Sequence, residues 1–120
     1  MSRDEFEDFE FAVESRLTSH GVYVRTVEDD DDRYLVTYES LAAEKGAIPH
    51  REVGRVINVF RDLHGDDWEG IDIEGTVLDL DGNERGTWHV EASWFDALHN
   101  GDLSEVEFSR KVIGTVQTDG

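Results

Sequence analysis

The stretch that decides the fold runs from Ile71 to Phe95 and reads IDIEGTVLDLDGNERGTWHVEASWF. Apolar and polar residues alternate on both sides of a central segment, 81–86, that is rich in residues tolerating positive φ. A two-residue period is typical of a strand with one buried face. The sequence therefore predicts a β-hairpin over residues 71–95. Its inward positions are Ile71, Ile73, Gly75 and Val77 in the first arm and Trp88, Val90, Ala92 and Trp94 in the second.

Two registers are open for this hairpin, because the turn can be placed in two ways. A turn at Gly82-Asn83 pairs Val77 with Trp88. A turn at Asp81-Gly82 shifts the register by two residues and keeps the same faces together. A glycine opposite a large residue, as Gly75 would be, leaves room for a Trp ring or marks a β-bulge.

Hydrophobic periodicity divides the chain before this hairpin into three further elements. Helices are predicted at residues 3–20 and 49–64, where apolar residues recur at the spacing of one helix face, and a first hairpin at residues 22–40. Gly54 interrupts the second helix, and close packing on the sheet would explain it. Phe11 falls off the apolar stripe of the first helix, so it lies either at the edge of the core or exposed as an interface residue.

The pattern after the long hairpin is helical again, over residues 96–117. Ser104 and Glu107 form a capping box, which marks the start of a helix. The whole chain, 1–120, is therefore predicted to be one α+β domain with the element order α-β-β-α-β-β-α-α. Two hairpins would form a four-stranded antiparallel sheet, with the helices packed mainly on one face.

Charge is the most pronounced feature of the composition. Asp and Glu number 29 against 11 Lys and Arg, for a formal net charge of −18, and the acids occupy outward positions in every segment. Self-repulsion at this density opposes compaction, and near 1 M salt a Debye length of about 3 Å screens most of it. The pattern predicts a cytoplasmic protein of a salt-accumulating organism, which needs high monovalent salt to fold.

Several kinds of chemistry lack the residues they need. The chain has no cysteine, no apolar stretch near the length of a membrane span and no signal-peptide pattern at its N-terminus. The acidic loop from Asp79 resembles a calcium loop, but Trp88 stands where the final Glu ligand is required, so a hairpin turn is predicted instead. We expect no metal, no cofactor and no catalytic residue.

The C-terminal stretch 98–111 has a characteristic set of residues, namely Leu98, Gly101, Leu103, Ser104, Glu107, Phe108 and Lys111. With these residues it resembles the short C-terminal domain family (SHOCT), a helical hairpin with a suspected role in oligomerisation. Val106 departs from that family's pattern, which usually has an acid there. The chain as a whole, with its many acids, resembles the small acidic proteins of unknown function that are common in haloarchaea.

These observations predict a non-enzymatic protein-binding or assembly module, with a homodimer as one form of it. The predicted contact surface combines two phenylalanines with two residues of the second face of the sheet. It consists of Phe11, Phe95, Tyr23 and Leu78.

Two other classes of function stay open. The first is a small-ligand binding protein or enzyme, with a pocket lined by Trp68, Trp88 and Trp94 and a buried polar group at Tyr38 or His89. The second is an acidic mimic of nucleic acid. Binding to nucleic acid itself is disfavoured, because Arg51, Arg55 and Arg61 form only a weak basic patch against 29 acids.

Overall fold

The computed structural model describes residues 3–30, 33–43, 46–64 and 71–118. None of the helices in these ranges is long and apolar enough to cross a membrane. The α+β class predicted from the sequence is confirmed. In chain order the described elements are α1 (Arg3–Thr18), β1 (Val22–Asp30), β2 (Arg33–Ser40), α2 (His50–His64), β3 (Asp72–Leu78), β4 (Glu84–Val90), α3 (Ala92–Asn100), α4 (Glu105–Ile113) and β5 (Gln117–Thr118).

The described strands form one five-stranded mixed sheet in the order β1-β2-β3-β4-β5. The predicted four-stranded antiparallel sheet is therefore wrong in two respects. First, β2 and β3 pair in parallel, because α2 lies between them and returns the chain to the end at which β2 began. Second, β5 adds an antiparallel edge by pairing with Gly86 and Thr87. A strand of two residues is too short to leave a periodic signal.

The long hairpin is shorter than predicted at its second arm. β4 ends at Val90, and α3 begins at Ala92, with Glu91 as its N-cap residue. The prediction of strand for residues 91–95 is wrong. The apolar residues Ala92, Trp94 and Phe95 fit a helix that begins at Ala92 as well as they fit a strand. The Ala92 N–H donates to the Asp72 carboxylate at 2.6 Å, which satisfies a free donor of the first helical turn.

Gly75 lies opposite Trp88, and Ile73 lies opposite Val90. This is the register shifted by two residues, and the predicted space for a Trp ring is confirmed, because a Cβ at Gly75 would overlap the Trp88 indole. The indole N–H donates to the hydroxyl of Tyr38 at 3.0 Å, across the intervening strand. One buried side chain thus joins β2, β3 and β4.

The core lies between the sheet and the helices, including α3 through Phe95. We call this side of the sheet the helical face. α1 packs against β1 and α2, and α4 packs against β4, so the helices follow the order α1, α2, α4 across it. Phe9, Tyr34 and Phe60 meet with ring centroids 5.4–5.5 Å apart. Burial, reinforced by the charge of Asp29, raises the pKa of Tyr34 to about 12.

The capping box predicted at Ser104 and Glu107 is confirmed. The Ser104 hydroxyl accepts from the Glu107 N–H, and the Glu107 carboxylate accepts from the Ser104 N–H, both at 3.1 Å. These hydrogen bonds, together with nearby Arg110 and Lys111, lower the pKa of Glu107. Gly101, with φ of 83°, ends the preceding helix in the left-handed region that favours glycine.

Two glycines of the chain form a matched pair for testing this packing. Gly75→Ala should destabilise the protein by about 1–3 kcal/mol, because the new methyl group overlaps a fully buried indole. At Gly54, in contrast, no described atom lies within 4 Å of an added Cβ, so close packing on the sheet, expected from the sequence, is wrong. Gly54→Ala should stabilise by about 1 kcal/mol through helix propensity.

Urea unfolding of both variants at one fixed KCl concentration measures the two effects. The decisive result is a lower free energy of unfolding for Gly75→Ala and a higher one for Gly54→Ala. A Gly75→Ala variant as stable as the wild type would contradict the register that places this glycine under Trp88.

A second test concerns the turn between β3 and β4, which Asp79 closes. Its carboxylate accepts from the backbone N–H groups of Asn83 and Asp81 and from the guanidinium of Arg85, at 2.8–3.0 Å. These bonds, led by that from the Asn83 backbone, lower the pKa of Asp79 to about 2. The predicted hairpin turn is therefore confirmed.

Because the folded pKa lies below the ordinary value of 3.8, the ionised Asp79 stabilises the fold above that value, and its contribution is lost as the pH falls toward 2. Asp79→Asn should lower the urea midpoint at pH 6, and its difference from wild type should shrink between pH 4 and pH 2.5. Asp81→Asn, an equal charge change at an exposed site in the same turn, is the control. A pH-independent difference for Asp79→Asn would refute the assignment.

Candidate functional site

The candidate site is a groove between α2 and α4. α2 carries a strong apolar stripe, of which Val53, Val56, Ile57 and Phe60 are buried in the core. α4 begins at its capping box and buries Phe108 and Val112. Both helices are held by the core, and the space between their facing sides has a volume of about 310 Å³.

The lining of this groove has an apolar floor and a polar rim. Gly54 widens the groove, because it lines the wall without a side chain. The floor consists of Val53, Ile57, Phe108 and Val112, and the rim carries His50, Arg51, Asn58 and Ser109. This combination suits a ligand with an apolar anchor and polar or anionic groups around it.

An ion pair joins the two walls. Both guanidinium N–H groups of Arg61 on α2 lie 3.4 Å from the carboxylate oxygens of Glu105 on α4. The same guanidinium lies 5.9 Å from the ring centroid of Phe108. Because Glu105 is largely exposed, this pair contributes little to stability, and its main effect is to define the edge of the groove.

The charge of these two helices differs from that of the rest of the chain. α2 and α4 together carry five of the 11 Lys and Arg residues but only four of the 29 acids. The bases are Arg51, Arg55, Arg61, Arg110 and Lys111. Of these five, Arg51 and Arg61 line the groove, and Arg61 is paired with Glu105, so the lining has two bases and one acid. Its net charge of +1 contrasts with the strongly anionic chain and favours anionic groups among its ligands.

The residues predicted to line a tryptophan pocket do not converge in the structure. Trp88 and Tyr38 are buried in the core, where they bond to each other, and burial raises the pKa of the tyrosine. Trp94 lies on α3. Its ring centroid is 6.0 Å from that of His89, and the Lys111 ammonium nitrogen lies 5.4 Å from the centroid of the Trp94 ring. Trp68 lies outside the described residues.

The residues predicted to form an interface lie on different surfaces. Phe11 is 70% exposed and Tyr23 is 40% exposed, while Leu78 is half-buried. Phe11 points away from the buried stripe of α1, and Tyr23 lies on the opposite face of the sheet from the helices. Phe95 belongs to the core instead, because it packs against Phe108 with ring centroids 5.3 Å apart.

A second, shallower depression of about 300 Å³ lies over β3, β4 and the segment after α4. Its lining is mainly polar and includes Thr76, Thr87 and the exposed His89. Thr115, at its edge, bonds to both backbone groups of His89, which ties the C-terminal segment to β4. This shallower depression lacks the apolar floor of the groove between α2 and α4.

One buried polar atom on α2 is notable. Oε1 of Glu52 is inaccessible to solvent and has no hydrogen-bond partner among the described residues. The charge of Glu52 also helps to raise the pKa of Tyr38, although burial of the phenol is the larger cause. A carboxylate oxygen in this position is costly, and Glu52 does not belong to the lining of the groove between α2 and α4.

The sequence interpretation did not identify the groove. Its apolar floor residues were indistinguishable from ordinary core residues, and the arginines of α2 read as a weak surface patch. The one available signal was Gly54, a helix-destabilising residue in the middle of the strongest apolar stripe.

The comparisons with known proteins give a family and no activity. A family model described as "Domain of unknown function (DUF8159)" matches residues 3–120. The match covers nearly the whole chain, so the protein belongs to this family. No curated protein and no solved structure matches the chain.

Proposed function

Since membership of this family assigns no activity, we propose from the site that the protein is a non-enzymatic binding or assembly module. Its groove between α2 and α4 receives an acidic, amphipathic segment of a protein partner. The observation that carries the proposal is the apolar floor beside Arg51 and the ion-paired Arg61, a lining with a net charge of +1 on a chain whose net charge is −18.

The two parts of the groove have different roles in this proposal. The floor supplies affinity by removing apolar surface of the partner from water. The rim supplies selectivity, because an acidic segment is repelled by most of the protein surface and is tolerated only where bases are concentrated. Such a site binds through apolar contact even when salt screens the charges.

The acidic surface supports a salt-rich cytoplasm of haloarchaeal type as the working environment. Acids crowd exposed positions, as at Glu5, Glu7 and Asp8 on α1 and Glu28, Asp29 and Asp30 on β1. The similarity of residues 98–111 to the SHOCT helical hairpin fits an assembly role, because the second helix of that hairpin forms one wall of the groove.

One alternative keeps a specific observation in its favour. The buried Glu52 oxygen, which has no hydrogen-bond partner in the described part of the chain and whose charge acts on Tyr38, would suit a small polar ligand, as the hypothesis of a ligand-binding protein or enzyme requires. The hypothesis of a nucleic-acid mimic has less support, because acids lie on both sides of the sheet instead of along one face.

The salt requirement gives the first test of the proposed environment. The thermal midpoint should rise when KCl increases from 0.2 M to 2 M, because screening removes the self-repulsion of the acidic surface. A variant with Asp8→Asn, Glu10→Gln and Glu14→Gln should show a smaller rise, since less repulsion remains to be screened. Equal midpoints at both salt concentrations for the wild type would refute a halophilic role for the acids.

Site-specific photo-cross-linking tests the groove itself. The photo-reactive residue p-benzoylphenylalanine would replace Ser109, which is exposed and lines the groove, in the organism that encodes the protein. Ser93, exposed on α3 and outside the lining, is the matched control position. The proposal predicts a discrete protein adduct from position 109 only, which disappears when Gly54→Phe fills the groove. Absence of any adduct at position 109 would overturn it.

A further inference from the structure

The segment most complementary to the groove is the exposed side of α1 in the same chain. Phe11 is the most exposed large hydrophobic residue among those described, at 70%. It lies one helical turn from Glu7, Asp8 and Glu14, at positions i−4, i−3 and i+3. α1 as a whole has six acids and two bases in 16 residues. An apolar knob is thus surrounded by carboxylates.

The groove has the inverse of this pattern. Its floor of Val53, Ile57, Phe108 and Val112 could cover an aromatic ring, and His50 and Arg51 at the rim could face the carboxylates. Within one chain this contact cannot form, because α1 is already packed against β1 and α2 by its opposite side. The knob therefore needs a groove on another molecule.

The order of the helices allows two molecules to make this contact at once. α1, α2 and α4 follow one another across the helical face, so α2 lies between the knob and the groove. When two copies meet through their helical faces about a twofold axis parallel to α2, each α1 lies over the partner's groove. Two symmetric contacts bury twice the surface area of one contact. The larger area favours a stable dimer, because specific interfaces bury about 1,200–2,000 Å² in total.

We propose that the groove's occupant is α1 of a second copy of this chain, with Phe11 inserted between α2 and α4, in a reciprocal twofold dimer. The proposal rests on the proposed function, of which it specifies the partner. It also gives Gly54 a reason to be glycine, because a side chain there would occupy the space of the incoming ring.

Complementation between two variants tests the dimer. Phe11→Asp removes the knob and leaves the groove, whereas Gly54→Phe fills the groove and leaves the knob. Both positions have room for the change: Phe11 is exposed, and no described atom lies within 4 Å of an added Cβ at Gly54. A single cooperative unfolding transition would verify that each variant is folded, with a midpoint lowered only by the loss of dimerisation.

Sedimentation equilibrium of the purified full chain at 0.2 M and 2 M KCl should show a wild-type dimer. Each variant alone should be monomeric, with an association constant lower by about 1,000-fold, because every dimer loses two contacts of hot-spot size. An equimolar mixture should form a heterodimer of intermediate affinity, which retains one knob in one groove. Leu80→Asp, at an exposed apolar residue in the β3–β4 turn, should remain dimeric.

Three results would overturn the reciprocal dimer: a monomeric wild type at both salt concentrations, a Phe11→Asp variant that still dimerises, or a mixture that forms no heterodimer. These outcomes can be distinguished from failure of the proposal that the groove is a protein-binding site. If the cross-linker at position 109 captures a different protein while the purified chain is monomeric, the groove is a binding site and only its assignment to α1 of a second copy is wrong.

Discussion

The contact of Trp88 with Gly75 and Tyr38 fixes the central part of this fold. The indole occupies the space that a side chain on β3 would fill, and its N–H is satisfied by a hydroxyl on β2. A slip of either neighbouring strand would cause a steric clash or leave a buried donor without a partner, and both are costly. A single side chain therefore sets the register of β2, β3 and β4. That register in turn places the end of β4 and the helices that follow it.

The groove is a consequence of how those elements are anchored. α2 is the crossover between two parallel strands, so its position is set by the sheet. α4 is held by Phe108, which packs on Phe95, and by Thr115, which binds the backbone of β4. Each helix is thus fixed independently, and the gap between them is spanned at one end by Arg61 and Glu105. A binding site of this kind is rigid because neither wall depends on the other for its position.

The sequence predicted the parts of the fold that depend on local periodicity. Both long helices, the inward set of β3 and β4 up to Val90 and the capping box at Ser104 follow from spacing alone. Parallel pairing of β2 with β3 depends on a crossover, which a pattern of alternation does not encode. Residues 91–95 were misassigned because Ala92 and Trp94 fit both a strand and a helix. The groove depends on the distance between two apolar stripes, and each stripe by itself has the appearance of core.

The uneven distribution of charge links the fold to the proposed binding. Repulsion among the acids opposes any contact between two copies of the chain, including contacts made by the acidic α1. A contact with α2 and α4 is the exception, because five of the 11 bases lie on those two helices. Two of these bases, Arg51 and Arg61, lie beside the apolar floor, and their placement there turns general repulsion into selectivity for one surface. As salt rises and both effects are screened, the shape of the floor, widened by Gly54, remains to distinguish the correct partner.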